Sequence, residues 1–119
     1  MDTKRFQSLL ADFAAERDWD QFHTPKNLST ALMCEAGELA EIFQWMNPSE
    51  SYGAMGNHNL AQAIKEEVAD VQLYLLRIVD KLGIDLEAVM LDKMAKNAQK
   101  YPVELSKGSS EKYSRRTAE

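Results

Sequence analysis

Residues 27–46 read NLSTALMCEAGELAEIFQWM, and the way this stretch winds decides the fold. Leu28, Ala31, Leu32, Leu39, Ile42 and Met46 recur at helical spacing and make one apolar stripe. Asn27 and Ser29 are both good N-cap types, so the pattern predicts a helix from 27 or 29 to about 46. Asn47-Pro48 ends it, because the residue before proline avoids the helical region. Wound at about 100° per residue, Glu35 sits at the centre of the stripe and Glu38 roughly 60° from it, while Glu41 turns towards solvent. Two carboxylates on a core-facing surface are the anomaly of this sequence.

The same anomaly recurs further along. Over 59–82 the residues Leu60, Ala63, Ile64, Val71, Tyr74 and Ile78 cluster within about 60° of Glu67, with Asp70 at the stripe's edge and Glu66 pointing away. Each of these two helices therefore carries an acidic pair spaced i, i+3, neighbours on one face. The rest of the chain is also helical in pattern. Phe6, Leu9, Leu10, Phe13 and Ala14 predict a first helix over 2–17, and a connector over 18–26 holds Trp19, Phe22, His23 and Pro25. Polar turn formers make 47–58 the one long loop, Gly83 suits a left-handed helix stop, and a fourth helix runs over 85–100 from an Asp85 cap. Phe6, Phe13 and Phe43 are expected in the core. No alternating run is long enough for a sheet. The fold class is all-α, about four helices in a bundle, with a domain over 1–102 and a mobile tail over 103–119 that carries Lys112, Tyr113, Arg115 and Arg116.

Composition bounds what such a bundle can do. The chain has 119 residues, 45% hydrophobic and 28% charged, enough for one globular domain. Its 14 Lys+Arg against 19 Asp+Glu give a net charge of −5, which argues against a nucleic-acid binder dependent on phosphate neutralisation. No run approaches the ~18 apolar residues of a membrane span, and the N-terminus lacks the apolar stretch of a signal peptide, so a cytoplasmic protein is expected. Cys34 stands alone, which leaves no intrachain disulfide and no multi-cysteine metal site. The broad apolar stripes call for a partner chain, a homodimer or a homotetramer built as a dimer of dimers.

Burying carboxylates costs several kcal/mol each unless cations or protons accompany them. Oxygen-only ligands gathered in a bundle suit a hard divalent cation, Mg²⁺ with Mn²⁺ as a substitute. The plainer alternative is that the acids lie at stripe edges and pair with Lys or Arg. A di-iron bundle needs Glu-x-x-His on two helices, and neither His23 nor His58 stands three residues after a Glu. Nucleophilic catalysis lacks its parts: there is no Gly-x-Ser-x-Gly and no phosphate-binding glycine loop. Trp19, His23, Trp45 and Tyr74 are candidates to enclose a nucleobase, although helically spaced aromatics more often serve as core. Lys93, Lys96, Asn97 and Lys100 form a basic stripe that suits either a helix C-terminus or a phosphate chain.

Glu35-Ala-Gly-Glu38-Leu-Ala-Glu41 with Trp45, followed by Glu66-Glu67-Val-Ala-Asp70-Val, resembles the all-α MazG-like nucleoside triphosphate pyrophosphohydrolases. Glu16-Arg17-Asp18-Trp19, Phe22-His23, Phe43-Gln44-Trp45 and Lys93-Met94 with Asn97 and Tyr101-Pro102 are similar to its dCTP pyrophosphatase branch, over roughly residues 5–113. The resemblance implies that Glu35, Glu38, Glu67 and Asp70 hold magnesium. It places Trp19, His23, Trp45 and Tyr74 near base and sugar, and Lys93, Asn97, Lys100 and Tyr101 near phosphates or sugar, with Lys112 and Tyr113 closing over the nucleotide. Many members carry Glu-Glu-x-x-Glu; here Cys34 stands in the first position, as the dCTP branch also lacks that acid. The implied reaction is hydrolysis of a (deoxy)nucleoside triphosphate, dCTP by preference, to monophosphate and pyrophosphate. Glu38 would take the water's proton, with Glu35 and Lys93 completing the catalytic set. Broad dNTP cleaning and a non-catalytic helical dimerisation module are the alternatives.

Overall fold

In the computed structural model, which describes residues 1–115, Met1–Gly83 forms one compact unit and the chain from Ile84 a second. Arg116 and the rest of the expected tail beyond it lie outside the described residues. Helices α1 (Thr3–Glu16), α2 (Pro25–Phe43), α3 (Pro48–Tyr52) and α4 (His58–Leu82) belong to the first unit. Helices α5 (Leu86–Lys100) and α6 (Val103–Ser106) belong to the second. The four long helices are those the periodicity predicts, and no strand occurs among the described residues.

Each long helix starts on a side-chain cap. Asp2, Thr24, Asn57 and Asp85 accept from the backbone N–H of Arg5, Asn27, Leu60 and Ala88. α2 begins earlier than 27 because Thr24 caps it and Pro25 fits the first turn, where a missing N–H costs nothing. It also ends earlier, at Phe43. Gln44 and Met46 donate to Glu41 and Phe43, tightening the last turn, and Asn47 is extended ahead of Pro48. The expected loop over 47–58 instead holds α3 and a 3₁₀ turn, Ala54–Gly56. Asn47 Oδ1 accepts from Glu50 N at 2.8 Å and Pro48 presets φ, so this short polar stretch has its own start signal. Gly83 takes φ 64° and stops α4, a conformation that L side chains resist.

In the first unit α2 and α4 share the main face, while α1 and the Ala54–Gly56 turn pack on α4. The core is Ala14, Leu28, Ala54, Ala61, Ile64, Leu76 and Val79. Phe13, expected in the core, is exposed: its ring edge meets Trp19 at 5.8 Å and the Arg17 guanidinium lies 3.6 Å over its face. The aromatic stripe of α1 thus lines a cavity instead of filling a core. In the second unit the Tyr101 and Tyr113 rings meet edge to face at 5.8 Å, and Lys100 Nζ stands 5.1 Å from the Tyr113 centroid. No helix among the described residues is long and apolar enough to cross a membrane.

Candidate functional site

Packing α2 against α4 brings the acidic pairs together. Glu35 and Glu38 from α2 and Glu67 from α4 each offer a carboxylate oxygen, and these oxygens all lie within 4.8 Å of one another. Glu35 and Glu67 are half-buried, and Glu38 is exposed at the rim, further out than its place on the stripe suggested. One oxygen of Glu35 and one of Glu67 are shut away from water with no hydrogen-bond donor. Bare oxygens held in that state need a proton or a cation. Glu35, through the hydrogen bond that a shared proton would make, and then burial push the Glu67 carboxyl up to about 7 from its ordinary 4.5, with Glu38 adding charge repulsion. An oxygen-only donor set of this kind fits a hard divalent cation.

The raised carboxyl has a measurable consequence in the metal-free protein. Between 4.5 and about 7 the folded state binds a proton that the unfolded chain has released. Stability therefore falls as pH rises through that window. Thermal melts in chelator across the window are expected to show this decline, and saturating magnesium is expected to remove it. A flat chelated profile would mean the three carboxylates do not face one another in solution.

Asp70 stands one turn beyond Glu67 on α4 but outside the three-carboxylate group, lining instead a cavity of about 510 Å³. Trp19, His23 and Tyr74 line the same cavity, so three of the four aromatic candidates converge there. Apart from Arg77, its remaining walls are apolar side chains: those of α1, including Phe6 and Phe13, with Leu28 and Leu73. Cavity and carboxylates adjoin: burial raises the Tyr74 phenol above its usual range, and the negative charges of Glu35 and Asp70 add to that rise. Trp45 is not part of the cavity; it is 88% exposed beyond the end of α2. Lys93, Asn97, Lys100, Tyr101 and Lys112 all lie in the second unit, where Lys93, Asn97, Tyr101 and Lys112 are exposed.

Arg77 is a site residue that the sequence pattern did not single out. It lies on the α4 stripe that carries Glu67, Asp70 and Tyr74, at successive spacings of three and four, and is 5% exposed at the cavity wall. Its NH2 donates to Asp20 at 2.8 Å, its NH1 to Asp80 at 3.4 Å and its Nε to His23 Nδ1 at 3.2 Å. Lys81 also bonds Asp20, and this bond is the main cause that holds the Asp20 carboxyl below its usual value. Burial, followed by the charges of Arg77 and Lys81, keeps the His23 imidazole below its ordinary 6.5. An arginine on an otherwise apolar stripe was the available signal, as unusual there as the acids.

Residues 31–115 match the model of the MazG-like family. The chain is 47% identical over 105 residues to dCTP pyrophosphatase 1 of Rattus norvegicus and 45% identical to that of Homo sapiens. Each alignment covers 88% of this chain and 62% of the relative, so the chain spans about three fifths of their length. The crystal structure of a pyrophosphatase from Archaeoglobus fulgidus superposes with a TM-score of 0.78 at 35% identity, covering 86% of this chain and 94% of that one. A family match over most of the chain, with paired helix-borne carboxylates at its centre, means that this chain belongs to the MazG-like family.

Proposed function

We propose that the protein hydrolyses (deoxy)nucleoside triphosphates to the monophosphate and pyrophosphate, with dCTP preferred and Mg²⁺ as cofactor. The observation that carries this reading is the pair of buried, donorless oxygens of Glu35 and Glu67 beside a cavity with room for a nucleobase. Glu35, Glu38 and Glu67 would hold the cation, with Asp70 as the fourth acid one helical turn away. Bound there, magnesium supplies neutralisation of phosphate charge and a lowered pKa for water. Glu38, exposed at the rim, accepts the proton of the attacking water. Trp19, His23 and Tyr74 enclose the base, and the apolar wall from α1 excludes water from it. The family resemblance alone assigns Lys93 and Lys100 to the polyphosphate, and Asn97, Tyr101, Lys112 and Trp45 to further substrate contacts.

The dCTP preference is supported by the names of the mammalian relatives, which act over a longer chain than this one. Exposed Met33 and Val68, on α2 and α4, give a second copy apolar surface to cover, which supports a homodimer or homotetramer.

Product analysis on a panel of NTPs and dNTPs, with magnesium or chelator, tests the proposal. Monophosphate and pyrophosphate in equal amounts, only with magnesium and fastest from dCTP, is the expected result. Equal rates across all bases would shift the reading to a broad dNTP-cleaning enzyme. No product from any nucleotide would leave a non-catalytic helical module.

A further inference from the structure

His23 is one of two histidines in the chain, and its ring is held on one side only. Arg77 Nε donates to His23 Nδ1, and a guanidinium carries donors and no acceptor. The Nδ1 position must therefore present a lone pair, and the proton of the neutral ring must sit on Nε2. Among the described residues nothing accepts from Nε2, and the ring lines the cavity.

The surroundings fix the guanidinium itself. Asp20 on the connector takes NH2, Asp80 on α4 takes NH1, and Lys81 bonds Asp20 from the next turn. Two cations face two carboxylates, so a further positive charge on His23 would be uncompensated within this group. Among the described residues, the other polar groups around the cavity are Asp70 and Tyr74 of α4 and the Trp19 indole; α1 contributes apolar side chains alone. The connector is also pinned, because Asn27 Nδ2 donates to Phe22 O at 3.0 Å immediately before His23.

We infer that Arg77 is a positioning residue for the cavity: it fixes His23 as the neutral Nε2–H tautomer, so that the wall offers a hydrogen-bond donor and selects a ligand edge bearing an acceptor. A carbonyl oxygen or an unprotonated ring nitrogen satisfies that edge; a ring N–H or an amino group does not. The nature of the ligand, a nucleobase, rests on the proposed hydrolase function, whereas the tautomer stands without it. The lowered pKa of His23 agrees with the arrangement.

Long-range ¹H–¹⁵N correlation spectra of the ¹⁵N-labelled full chain at neutral pH read the tautomer directly. His58, exposed at the start of α4, serves as the internal reference, and His58→Gln assigns the signals. The expected result is a single His23 tautomer with a protonated Nε2 and a bare Nδ1. A protonated Nδ1, a tautomer mixture or a charged ring in the wild-type spectrum would overturn the inference. Arg77→Met, which keeps the apolar stem and removes the donor, is expected to return His23 to a mixture. An unchanged single tautomer in a folded variant would show that Arg77 does not set it. The same variant is expected to raise KM for the cleaved nucleotide about tenfold with kcat within about twofold, the loss of one hydrogen bond made throughout binding. A fall in kcat at unchanged KM would contradict the selection role. Absence of hydrolysis in the wild type with the expected tautomer would count against the hydrolase reading and leave the role of Arg77 intact.

Discussion

Replacing Glu35 by Gln is expected to lower turnover by about 1,000-fold or more while raising the thermal stability of the metal-free protein. The two effects have one cause. A Glu35 oxygen and a Glu67 oxygen lie buried without a donor, and Glu35 is the main reason that the Glu67 carboxyl is pushed up to about 7. A glutamine amide at position 35 donates to Glu67 and removes one of the facing charges, so the apo cluster relaxes. The same amide is a poor ligand for a hard cation, so magnesium no longer stabilises the variant and the chemistry it supports is lost. Glu38→Gln is expected to match the loss of turnover with little gain in apo stability, because Glu38 is exposed and its charge is already screened by water. Steady-state rates and melts in chelator and in magnesium measure both quantities. Glu35→Gln with wild-type turnover would remove the cluster from the reaction.

The largest structural effect is expected from Leu76→Ala. Leu76 is 1% exposed on α4, the helix on which α1, α2 and the Ala54–Gly56 turn all pack. Removing its branched end deletes buried methyl groups and leaves a cavity that rigid helices on several sides cannot close, costing about 3 kcal/mol, within the 2–5 typical of Leu→Ala in cores. Against a total stability of ~5–15 kcal/mol for a domain, that is a large fraction. The core of this unit is short of large side chains, since Leu28 and Leu76 are its two largest fully buried ones, so neighbouring residues have little bulk with which to refill the space. Urea unfolding followed by circular dichroism checks the value. A loss under about 1 kcal/mol would show that α4 is not the packing axis.

The long helices were legible in the sequence because apolar period, caps and stops agreed: Asp85 and Gly83 punctuate the chain where expected. The carboxylate cluster was legible for a different reason. Acids on an apolar stripe violate the pattern, and violations mark function. What stayed hidden depends on pairing between distant elements. Phe13 has core spacing, yet faces a cavity, because periodicity gives the direction of a side chain and not what stands opposite it. Arg77 meets Asp20 and His23 across more than fifty residues of chain, a contact no local window contains. The short helix Pro48–Tyr52 was masked by its own polarity: with no stripe to bury, only the Asn47 cap and Pro48 announced it.

If the carboxylate cluster supports water attack on the α-phosphorus of a nucleoside triphosphate, the oxygen of that water must end in the monophosphate. Hydrolysis of dCTP in ¹⁸O-water with magnesium, with both products analysed by mass spectrometry, tests this most directly. The expected result is one ¹⁸O in the monophosphate, none in the pyrophosphate, and no reaction in chelator. Label in the pyrophosphate, release of single phosphate, or turnover that persists without a divalent cation would contradict it.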